Sequence, residues 1–174
     1  PNATWMTLRL AVKAISTASN LGGGKNYKAP PRFFLFMEVL TKAELELRKE
    51  ELLQKIKLGI VFIHPTDTIY GLSCDATNEK TVENIRRIKG RSDNPFSVWA
   101  PSLEWIKKNC EINKEAEAWL KKLPGPYTLI LKLKNKKAIA KSVNLGKETL
   151  GVRMPDHWFS VAVKEFGQPL VTTS

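Results

Sequence analysis

The stretch I-V-F-I-H-P-T-D-T-I-Y-G-L-S-C-D, residues 60–75, decides the fold. Ile60 to Ile63 reads as a buried strand, and it runs straight into His64-Pro65-Thr66-Asp67-Thr68. That loop holds a proline, two hydroxyls and a carboxylate, after which Tyr70-Gly71-Leu72 turns the chain back toward apolar structure. Polar side chains crowded at the C-terminal end of a strand serve a ligand in many α/β proteins. The same pattern also makes a hydroxyl-rich turn that satisfies its own backbone. The segment by itself leaves both readings open.

The chain has 174 residues, enough for one domain with a sizeable core. No apolar run approaches the roughly 20 residues that span a bilayer, so no membrane role is expected. The net charge of +11 favours anionic partners such as nucleotides or RNA, or else a solubilising surface. Cys74 and Cys110 lie far apart and without metal-ligand spacing. Two free thiols in a reducing compartment, the cytoplasm, are the simplest reading.

Residues 1–36 differ from the rest: Arg9, Lys13, Lys25, Lys28 and Arg32 stand there with no acidic residue. They read as an extension outside the domain: a disordered segment, an expression remnant or translation upstream of a natural start. Residues 37–174 form the expected domain, with Met37 just ahead of its opening. Leu40-Thr41-Lys42-Ala43-Glu44-Leu45 carries a capping box and a hydrophobic staple, so a helix is expected from Thr41 to about Leu58. Further helices are expected over Glu79–Lys89, Leu103–Asn109, Lys114–Lys122 and Asp156–Phe166. Strands are expected over Phe96–Ala100, Tyr127–Lys134, Thr149–Met154 and Pro169–Thr173. Strands alternating with helices predict an α/β fold with a mixed sheet.

Polar clusters fall at three strand ends: Thr66-Asp67-Thr68, Arg153 and Thr172-Thr173-Ser174. Lys89 and Arg91, separated by Gly90, form either a compact anion clamp or a solvated helix end. His64 reads as a structural histidine or a general base, and His157 as a first-turn residue. No metal site is visible from Cys or His spacing, and nucleophilic catalysis has no motif to support it.

Taken in order, H-P-T-D-T-I-Y-G-L (64–72), K-G-R (89–91) with N-P (94–95), L-P-G-P-Y-T (123–128), G-V-R-M-P (151–155) and the final P-L-V-T-T-S resemble the YrdC-type family of threonylcarbamoyl-adenylate synthases. The resemblance covers roughly Met37 to Ser174. It implies a twisted open sheet with flanking helices and a concave basic cavity. It also implies a nucleotidyltransferase that makes threonylcarbamoyl-AMP and pyrophosphate from L-threonine, bicarbonate and ATP, with Mg2+ on the phosphates. The product would feed modification of tRNA adenosine 37 through a partner transferase complex.

Residue by residue, the resemblance implies threonine binding by Thr66, Tyr70 and Arg153. It implies nucleotide binding by Lys89, Arg91, Asn94, Ser97, Thr128, Thr173 and Ser174, with Lys89 and Arg91 offsetting charge during the reaction. Three departures stand out. The loop after Arg91 is one residue shorter than the family's pattern, Trp99 replaces a frequent histidine, and the Ala-Asn-x-Ser-Gly continuation after Ser174 is missing. Weak or no synthesis by the 174-residue chain is therefore expected. Two other readings are a carbamoyl-adenylate-forming domain of the HypF type, and a double-stranded RNA or tRNA-binding module.

Overall fold

The computed structural model describes residues 8–12, 36–90 and 93–174, with the backbone alone for 8–12 and 36–37. Eight strands and seven α-helices follow in order: β1 (Leu8–Val12), β2 (Phe36–Leu40), α1 (Lys42–Leu47), α2 (Lys49–Lys57), β3 (Val61–His64), β4 (Gly71–Ser73), α3 (Glu79–Lys89), β5 (Ser97–Trp99), α4 (Leu103–Asn109), α5 (Lys114–Leu120), β6 (Gly125–Lys132), α6 (Lys141–Asn144), β7 (Thr149–Met154), α7 (Ser160–Phe166) and β8 (Leu170–Thr172). The expected α/β class with a mixed sheet and flanking helices is what forms.

The strands pair as β2-β1-β3-β4 and β6-β7-β5-β8. Backbone bonds between Leu72 and Thr173, and from Val171 N–H to Cys74 carbonyl, join the two halves along β4 and β8. The sheet is mixed, with β5 and β7 parallel and the other named pairs antiparallel. Leu8–Val12, within the compositionally distinct segment 1–36, lies between β2 and β3.

Period-2 alternation sends successive residues to opposite faces. On the first face Val61, Val98, Val152 and Val171 pack under Val82 and Ile85 of α3, Ile106 of α4, Leu120 of α5 and Val143 of α6. On the second, Phe62, Trp99 and Leu170 pack under Leu45, Leu52 and Ile56 of α1 and α2 and under Phe159, Val163 and Phe166 of α7.

Local signals place the helices well. Thr41 and Glu44 close the capping box, Asn78, Ser102 and Asn113 cap α3, α4 and α5, and Gly90 ends α3 in the left-handed region at φ 59°. Two expectations are corrected. The single helix to Leu58 breaks at Arg48, whose guanidinium is drawn to Glu38 on β2 and to Glu51. The helix expected from Asp156 begins at Ser160, because Asp156 N–H and Phe159 N–H donate instead to Asp67 and to His157 Nδ1. Among the described residues no helix is long and apolar enough to cross a membrane.

Candidate functional site

Among the described residues, helices cover only part of the second face of the sheet. Residues two positions from the helix-covered Phe62, Trp99 and Leu170 are His64, Ser97 and Thr172, by alternation on the same face. Thr172, Ser97, Gly151 and Ile130 stand opposite one another across β8, β5, β7 and β6. A Cβ at Gly151 would lie 2.9 Å from Ser97 Oγ and 3.5 Å from Ile130 Cδ1, so glycine lets β7 pass close to the Ser97 side chain.

Around Ser97 and Thr172 the loop after β3, the Pro95–Ser97 stretch and the end of β8 enclose a cleft of about 270 Å³. Of the predicted site residues, Thr66, Tyr70, Ser97, Arg153, Thr173 and Ser174 all line it. Thr68, Gly71 and Thr172 line it too and were not singled out as site residues. The T-D-T repeat was the available signal for Thr68. Arg153 is the charged side chain among the described lining residues.

Thr66 shows that the two readings of the opening loop are compatible. Its hydroxyl donates to the Ile69 carbonyl at 2.7 Å and accepts from Thr68 N–H at 3.1 Å, so it builds the turn. It also forms cleft wall, and Thr68 Oγ1, 3.1 Å away and exposed, extends the hydroxyl surface.

His64 is fully buried at the end of β3, stacked on Phe159 at 5.4 Å and tilted against Trp99 at 5.3 Å. Nδ1 donates to the Pro65 carbonyl at 3.0 Å, which leaves Nε2 unprotonated and, among the described residues, without a partner. Burial pushes its pKa down to about 4. A Cβ on Gly71 would meet Nε2 at 3.2 Å and Thr172 Oγ1 at 3.1 Å, so glycine is needed there for close packing. Trp99, at 1% exposure, packs behind the cleft and does not line it.

Lys89 stands beside the cleft and donates from Nζ to the Ser174 carbonyl at 2.6 Å. Asn94 is exposed, with its carbonyl held by Arg86. Thr128 is not brought to this cleft. It lines a separate groove with Trp119, Tyr127 and Ile130, beside a register shift between Gly125 and Leu129. Arg91 lies outside the described residues. Cys74 and Cys110 are buried and free, and burial raises both thiols, Cys110 to about 11. Among the described residues no three His, Cys, Asp or Glu side chains group to hold a metal.

A hydroxyl-walled cleft with one guanidinium, over the part of a mixed sheet that the described helices leave open, defines an α/β protein whose site has the chemistry to receive a small carboxylate or phosphate group. The chain belongs to the Sua5/YciO/YrdC family, whose profile, described as "Telomere recombination", matches residues 54–174. Threonylcarbamoyl-AMP synthase of Mus musculus is 32% identical over 122 residues, 69% of this chain and 43% of the mouse protein. The structure of Pyrococcus abyssi Sua5 complexed with L-threonine superposes with a TM-score of 0.67 at 32% identity, over 74% of this chain and 38% of that one. Full-length HypF in its phosphate- and nucleotide-bound form gives 0.61 at 28%, over 73% of this chain and 20% of that one. The chain spans about half the length of the curated relatives it matches.

Proposed function

We propose that this chain carries the threonine and nucleotide site of an L-threonylcarbamoyladenylate synthase. The carrying observation is that Thr66, Tyr70, Ser97, Arg153, Thr173 and Ser174, distant in sequence, line one cleft. The likeness to Sua5 with bound L-threonine supports the reading.

In this reading the threonine amine takes up the carbon of bicarbonate with loss of water, giving N-carboxythreonine. A carbamate oxygen then attacks the α-phosphorus of ATP, and the bond to pyrophosphate breaks. The protein contributes positioning and charge, with no protein nucleophile. Arg153 meets the α-carboxylate, and Thr66, Thr68 and Tyr70 wall the side chain. The cleft is at the low end of small-molecule sites, roughly 300–1,000 Å³, which suits the amino-acid end. The nucleotide extends toward Lys89 and over Thr172 and Ser97, with Arg91 joining Lys89 by its place in the sequence.

Hydroxyls and one arginine are a poor ligand set for a resident Mg2+, so the ion travels on the ATP phosphates with its waters. The product would serve tRNA adenosine-37 modification through a transferase complex. Both thiols are reduced and buried, which suits the cytoplasm.

Thermal unfolding with ligands tests the reading. L-threonine and Mg-ATP together should raise the melting temperature more than either alone, with D-threonine inert. A salt-sensitive shift with RNA, and none with threonine or ATP, would overturn it in favour of an RNA-binding module.

A further inference from the structure

We propose that Asp67 is a positioning residue that aims the Arg153 guanidinium into the cleft, so that Arg153 can take the carboxylate of the bound amino acid. This rests on the amino-acid reading of the cleft; what it adds is the part played by Asp67.

Arg153 lines the cleft and Asp67 does not. Asp67 Oδ1 stands 3.5 Å from Arg153 Nη2, and the two side chains are 11% and 18% exposed. That distance is too long for a hydrogen bond, and among the described residues neither Asp67 Oδ1 nor Arg153 Nε has one. The pair is therefore a charge contact that leaves the guanidinium's donors open. A guanidinium fully bonded to its own protein would have none left for a ligand, whereas one with no counter-charge in a half-dry setting would be costly to hold in place.

The carboxylate is itself anchored. Asp67 Oδ2 accepts from Asp156 N–H at 3.2 Å, three residues past Arg153 on the same connection. Asp67 thus spans from the loop after β3 to the turn after β7, across the two elements that bound the cleft. Nearby negative charge also separates tasks within the site. Arg153, partly offset by Asp67, suits a single carboxylate, and Lys89, whose Nζ reaches the Ser174 carbonyl, stands on the side given to the polyphosphate.

Asp67→Asn keeps an acceptor for Asp156 N–H and removes the charge, and Asp67→Glu keeps the charge. In calorimetric titration of the whole chain, Asp67→Asn should weaken L-threonine binding about ten-fold and leave ATP binding unchanged, with Asp67→Glu recovering part of the loss. A purely structural staple would lower the melting temperature and leave threonine affinity alone; threonine affinity within about two-fold of the parent overturns the proposal. The Arg153 Nε–H resonance reports independently of ligand. Restricted in the parent and mobile in Asp67→Asn, it supports positioning; equal in both, it refutes it. A parent chain that binds no threonine would overturn the amino-acid reading, and the resonance would still decide the role of Asp67.

Discussion

Arg86 holds the backbone carbonyl of Asn94 at 3.0 Å from Nη1, eight residues further along the chain. The same guanidinium donates from Nε to the Ser142 carbonyl at 2.6 Å and from Nη2 to the Val143 carbonyl at 3.1 Å, and it lies 4.4 Å from the centre of the Phe96 ring. One planar cation therefore fastens the far end of the loop that starts at Lys89 to α3 and α6. Lysine has no fork with which to reach three carbonyls. Arg86→Lys should lower stability by about 2 kcal/mol in urea unfolding. It should also reduce the thermal stabilisation given by ATP more than that given by threonine. Equal loss of both would mean that Arg86 supports the fold and not the loop in particular.

His64 should make stability depend on pH. Its folded pKa, depressed to about 4 by burial, lies below the ordinary value near 6.5. Between these values the unfolded chain binds the extra proton. Stability from keeping the ring neutral is thus fully present above about pH 6.5 and is lost as pH falls toward 4, by about 3 kcal/mol in all. His157, also lowered by burial, acts with the same sign. Glu38 and Glu51 are held down by Arg48 and Lys55 and act at lower pH. His64→Phe, which keeps the stack on Phe159, should flatten the profile between pH 4.5 and 6.5; an unchanged slope in denaturant titrations would reject the assignment.

Gly151 is a packing requirement beside Ser97, which lines the cleft. Alanine there would bring Cβ within 2.9 Å of Ser97 Oγ and 3.3 Å of Ser97 Cβ, contacts that need a shift in β5 or β7. Gly151→Ala should destabilise by about 1–3 kcal/mol and weaken ATP binding. Adding Ser97→Ala should recover part of the stability, because the closest clash is with the hydroxyl. Additive losses in the double variant would show that the two positions do not meet.

Much of the fold could be read locally. Caps and stop signals set α3 at Glu79–Lys89 and α4 at Leu103–Asn109, and alternation set β7 at Thr149–Met154, because each depends on neighbours a few residues away. What escaped depends on distant contacts. The break at Arg48 needs Glu38 on β2, and the late start of α7 needs Asp67, 89 residues before Asp156. The site was half readable. Strand-end polar residues at Thr66, Arg153 and Thr173 do converge, but Thr128 follows a bulge into another groove, and the close approaches at Gly71 and Gly151 follow from strand pairing that no local pattern encodes.

In the proposed reading the cleft between the loop after β3 and Arg153 receives L-threonine. Calorimetric titration of the chain with L-threonine, beside Arg153→Gln and Thr68→Val, is the decisive experiment. Saturable binding to the parent chain is expected, about ten-fold weaker in Arg153→Gln through loss of the carboxylate contact and less affected in Thr68→Val. L-threonine binding of equal strength to parent and Arg153→Gln, or no binding to the parent, would overturn the reading.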